Sequence, residues 1–161
     1  NSVLEWLSHD PPLLRAPREH TDFMEVLGSQ FLSHPPIEPY KVEVTAPQHP
    51  LVAGIDAFEV SGDELYLSEF HGEQEVLLHT RWAGKTEAFQ DGDWEEDLER
   101  PVMYLRNYDK GTVLYFTLGH CRSVYDMQPL VEEYPELERG SWELPVFYEL
   151  LRRGITWGLQ A

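Results

Sequence analysis

Two apolar runs, Pro101-Val-Met-Tyr-Leu-Arg106 and Thr112-Val-Leu-Tyr-Phe-Thr-Leu118, flank the short turn-rich segment Asn107-Tyr-Asp-Lys-Gly111. Two such runs around a tight loop pair most simply as a β-hairpin. The second run is apolar at nearly every residue, which predicts burial on both faces in the middle of a sheet. A chain holding such a strand must supply further strands beside it and helices to cover it. Lys41–Thr45 alternates at period two, as a half-buried strand does, and Glu64–Leu67 and Glu75–Thr80 also read as strands.

Helices are fewer. Glu19, His20 and Asp22 suit a first turn, Phe23, Val26 and Leu27 form an apolar stripe, and Gly28 is placed to end the helix in a left-handed conformation. The second helix closes the chain. Pro145 fits its first turn, while Phe147, Tyr148, Leu151, Ile155 and Leu159 recur at helical spacing opposite Arg152 and Arg153. The Pro-rich first 18 residues read as irregular, 47–62 as a loop, and the acidic run from Asp91 to Glu99 as a solvated insertion; 123–140 is a variable stretch. Strands interspersed with helices argue an α/β layered fold. Two helices are too few to cover both faces of a parallel sheet, so either long loops do that work or further βα units belong upstream.

At 161 residues the chain is long enough for one domain with one core, and a single domain over 1–161 is expected. Twelve basic against 29 acidic residues give a net charge of −17. That field repels phosphate backbones and anionic membrane surfaces, so neither nucleic acid nor membrane is an expected partner. No apolar run approaches the ~18–20 residues of a membrane span. The first residues lack the features of a signal peptide, and the absence of an initiator Met suggests a fragment or a processed product. The single cysteine, Cys121, allows no internal disulfide or Cys-rich zinc site and fits a reducing, cytoplasmic setting.

Three segments could carry chemistry. His34 lies between a helix cap and the stiff Pro35-Pro36 turn, where a side chain is held at a rim. It suits a ligand or an acid/base group, and equally a surface histidine in a turn. His120 follows Leu118-Gly119 at the C-terminal end of the apolar strand, the edge where open α/β sheets bind ligands. Asp63 and Glu64 are adjacent, so they point apart if Glu64 opens a strand; Tyr66 then shares the face of Glu64. His49, before Pro50, reads as a structural loop residue. Cys121 lacks a nucleophile-elbow pattern. No H-x-x-x-H pair, H-E-x-x-H motif or glycine-rich phosphate loop occurs. A metal site, zinc for instance, would need His34, His120 and a carboxylate from separate segments.

These residues fall within a pattern that resembles the ThuA-like (trehalose utilisation) family. The pattern comprises L-G-x-x-F-x-x-H-P at Leu27–Pro35, H-P-x-x-x-G-I at His49–Ile55, D-E-L-Y at Asp63–Tyr66 and T-L-G-H at Thr117–His120. It ends with S-W-E-L-P-x-x-x-x-L-L-R-R-G-I-x-W at Ser141–Trp157. The resemblance implies a flavodoxin-like, class I glutamine-amidotransferase-like layered sheet, from which the family's N-terminal βα units are absent here. It also implies carbohydrate utilisation, with trehalose-type or keto-sugars as ligands, and no amidotransferase triad. Gly28-Ser29 stands where the family often has Gly-Gly. The expected catalytic residues are His34 and His120, assisted by Glu64 and Tyr66, with His34 and His120 also the candidate metal ligands. The alternative is a non-catalytic carbohydrate-binding or interaction domain; a homo-oligomer is compatible with either.

Overall fold

The computed structural model describes residues 4–123 and 137–160. Its main feature is a five-stranded sheet in the order β5-β4-β7-β8-β9. The strands are β4 Tyr40–Val44, β5 Phe58–Val60, β7 Glu75–Lys85, β8 Asp93–Tyr108 and β9 Gly111–Phe116. Two smaller antiparallel pairs join it: β1 (Glu5–His9) with β2 (Pro12–Arg15), and β3 (Ser29–Ser33) with β6 (Leu67–Phe70). Helix α1 spans Thr21–Leu27; a 3-10 turn at Gly140–Glu143 leads into α2, Pro145–Gly158.

The chain is thus mixed α/β, but every pairing between these nine strands is antiparallel. A flavodoxin-type sheet is parallel, and that part of the expectation is corrected. The physical difference lies in the connections. β8 and β9 turn back through Tyr108 paired with Gly111, a hairpin closure that a parallel sheet cannot use.

The hairpin itself falls where the two apolar runs place it. Its second strand does not sit mid-sheet, however; β9 is the edge of the five-stranded sheet and is only half-buried. The acidic run is strand, not insertion: β8 begins at Asp93 and its first half is exposed. β7 supplies the complement, with Arg81 on Asp97 at 3.2 Å and Lys85 on Asp93 and Glu95 at 3.6 and 3.3 Å. Cross-strand opposite charges are tolerated well on a solvated sheet face. Within the segment expected to be irregular, residues 5–15 form the β1–β2 hairpin, docked through Leu14 N–H on the Ala88 carbonyl at 2.8 Å. The 47–62 loop holds β5, and the strand expected from Glu64 starts at Leu67 instead.

Two apolar clusters hold these layers. The larger joins Val42, Leu77, Leu78, Val102 and Met103 of the sheet to Phe147 and Leu150 of α2. Each such side chain contributes about 1.5–3 kcal/mol on burial. The helix therefore packs through Phe147 and Leu150, while Tyr148, Ile155 and Leu159 of the expected stripe are exposed. The smaller cluster gathers Ala16, Phe31, Leu32 and Phe89. α1 ends as its sequence indicates, with Gly28 at φ 77° returning its N–H to the Met24 carbonyl. No described helix is long and apolar enough to cross a membrane.

Candidate functional site

β3 carries the first site residue. All five of its residues are buried although three are polar, because each polar group finds a partner. The Ser29 hydroxyl meets the Tyr104 hydroxyl at 2.7 Å, Gln30 donates to the Ala16 and Pro17 carbonyls, and Ser33 donates to the Asp91 carbonyl. The strand stops at Ser33, and His34 emerges at its C-terminal end against the second cluster. Its ring stands edge-on to Phe89 with centroids 5.1 Å apart. Nδ1 of His34 lies 2.8 Å from the Pro35 carbonyl. A carbonyl only accepts, so Nδ1 carries the hydrogen and Nε2 is the basic nitrogen of the neutral ring.

That nitrogen faces Glu64, 3.7 Å from Oε1. Glu64 is 8% exposed and sits just before β6, whose antiparallel pairing with β3 brings the start of one strand to the end of the other. From the opposite direction, His120 places Nδ1 3.5 Å from Glu64 Oε2. Arg122 donates to Glu64 Oε1 at 3.0 Å. One buried carboxylate thus meets two imidazoles and a guanidinium drawn from two distant segments. The structure brings His34, His120 and Glu64 together; Tyr66 stands edge-on to Phe31 at 5.1 Å, and Phe31 in turn stacks on His34 at 6.3 Å.

Asp63, 2% exposed, is the anchor of this arrangement. Its Oδ1 accepts the N–H groups of Glu64 at 2.8 Å and His120 at 3.1 Å. Its Oδ2 accepts those of Gly119 at 2.7 Å and Ser141 at 3.3 Å. The two carboxylates are therefore not an acid/base dyad. Asp63 ties the 119–120 turn to the 3-10 turn, and Glu64 faces the imidazoles. Gly119 suits the turn: its φ is 114°, and a Cβ there would meet the Phe147 ring at 3.0 Å.

Sequence reasoning missed Asp63 as an organiser and Arg122 as a partner of Glu64. A signal for Arg122 exists, since residues two apart in an extended segment share a side and Arg122 follows His120 by two. Nothing local marks Asp63 as an organiser: beyond the neighbouring Glu64 N–H, its partners Gly119, His120 and Ser141 lie 56 to 78 residues away. The other candidates resolve simply. His49 Nδ1 accepts the Leu51 N–H at 3.3 Å within its loop, and Cys121 is an exposed free thiol. Among the described residues no group of three or more His, Cys, Asp or Glu is arranged to hold a metal ion. The Arg122 guanidinium, 3.0 Å from Glu64 Oε1, would also oppose a cation at that oxygen.

Arg122 further lines an open hollow of about 550 Å³ with Ser61, Glu138, Arg139 and Glu143. The fold and these residues define a mixed α/β protein with a His–Glu–His cluster at the ends of its strands. A sequence model of the ThuA family, described as trehalose utilisation, matches residues 15–133, a span that contains every residue of the cluster. The chain belongs to the ThuA family. No curated protein and no solved structure matches it.

Proposed function

We propose that the chain binds and processes a sugar of the trehalose or keto-sugar type at His34, Glu64 and His120, with the two histidines as an acid/base pair. The observation that carries this reading is the approach of both imidazoles to one buried carboxylate, at 3.7 and 3.5 Å. At these separations the one carboxylate can favour the protonated form of either imidazole, the form that a group exchanging protons with a bound hydroxyl or keto group passes through. Glu64 stabilises whichever imidazole is protonated, and Arg122 and the Asp63 turn hold Glu64 and His120 in position. Tyr66, behind Phe31, assists by packing. The polar hollow beside Arg122 offers hydroxyl, carboxylate and guanidinium groups of the kind that bind sugar hydroxyls.

The test replaces His34 and His120 singly by alanine and assays trehalose and its keto derivatives. Turnover should vanish in both variants while the melting temperature stays that of the parent. Retained turnover in both sinks the proposal. Calorimetric binding of these sugars without any product would instead favour a non-catalytic carbohydrate-binding module.

A further inference from the structure

Tyr40 opens β4 and packs its ring against the larger apolar cluster. Its hydroxyl oxygen is buried and meets no hydrogen-bond partner among the described residues. A buried hydroxyl without a partner is costly, so native structures rarely keep one without a reason. Burial, reinforced by the charges of Asp63 and Glu64 and by the Tyr66 phenol, holds Tyr40 well above the usual phenol range, so the hydroxyl stays a donor. Beside it lies a small, partly open space of about 50 Å³, lined by Tyr40, Asp63, Leu65, Trp82 and residues of the 35–39 segment.

That volume exceeds the ~10–15 Å³ that one water requires. It falls far short of the ~300–1,000 Å³ of a small-molecule pocket. Two charged side chains line it, Asp63 and Glu38; the prolines, Leu65 and Trp82 make the rest of its wall apolar. We propose that this space is a built water site, in which an ordered water accepts the Tyr40 hydroxyl hydrogen and donates to the Asp63 carboxylate. Tyr40 is then a positioning residue. Through the water it reaches the same carboxylate that holds the Gly119 and His120 amides. The inference concerns how the site is braced and does not depend on the sugar reading.

Two measurements on the full chain test it. A high-resolution crystal structure of the parent protein should show an ordered water within hydrogen-bond reach of both Tyr40 Oη and the Asp63 carboxylate. Tyr40→Phe should lower the melting temperature and shift the amide resonances of Gly119 and His120, whose hydrogen bonds Asp63 accepts. A structural effect confined to the core would leave those two amides unmoved. A dry cavity overturns the proposal, as does a Tyr40→Phe variant that melts at or above the parent temperature, the result expected when an unpaired hydroxyl is simply removed. Neither measurement uses sugar turnover, so its failure is distinct from failure of the proposed activity.

Discussion

Replacing Asp63 by Asn tests the account of the site most directly, because the change removes a charge and almost no volume. Asp63 accepts four backbone N–H groups, two on each oxygen. Asparagine keeps one acceptor oxygen and turns an NH₂ toward the other two N–H groups, setting donor against donor. Hydrogen bonds to a charged acceptor are worth about 1.5–3 kcal/mol each, so losing two predicts a destabilisation of about 3–6 kcal/mol. That is a large share of the ~5–15 kcal/mol that stabilises a typical domain. Urea unfolding followed by tryptophan fluorescence reads the difference, provided the slope of the transition is unchanged. A loss below about 1 kcal/mol would show that Asp63 is not the anchor described above, whatever its burial.

Gly28→Ala should destabilise the fold by more than the ~1–2 kcal/mol that a left-handed conformation costs an ordinary residue. Its Cβ would collide with the Arg106 side chain as well as strain a φ of 77°; a midpoint in thermal unfolding equal to that of the parent refutes this. At alkaline pH, Tyr40, Tyr104 and Tyr115 should resist ionisation while the fold lasts, since burial raises all three. A phenol raised in the folded state contributes stability that is full below the ordinary value of ~10 and is lost as pH rises beyond it. Tyrosinate absorbance from these residues and loss of circular dichroism should therefore rise together; ionisation of all three in a still-folded protein contradicts the burial argument.

What the sequence makes legible is what local chemistry decides. Gly28 ends α1 and Pro145 opens α2 because a left-handed cap and a missing N–H act within one turn. The β8–β9 turn is visible for the same reason. β3 is invisible because Ser29, Gln30 and Ser33 look like loop residues until Tyr104, Pro17 and Asp91 arrive from elsewhere to satisfy them. The acidic half of β8 becomes strand only opposite Arg81 and Lys85. α2 shows why a helical stripe alone is ambiguous: Phe147 and Leu150 are buried, while Leu159 is 82% exposed. In the site, His34 and His120 stand out by position at strand ends. The turn that fixes His120 and the partner that holds Glu64 exist only once the chain has folded.

The Asp63 anchor also sets when the site comes into being. The β8–β9 hairpin closes over a few residues, but the Asp63 bonds to Gly119 and Ser141 close loops of 56 and 78 residues. Loop-closure entropy rises with length, and contacts of that separation form late. The His–Glu–His cluster therefore cannot be carried by any short peptide cut from this chain. Occupancy of the site by a ligand is in consequence a report of completed folding: partly folded chains can hold the hairpin and still lack the site entirely.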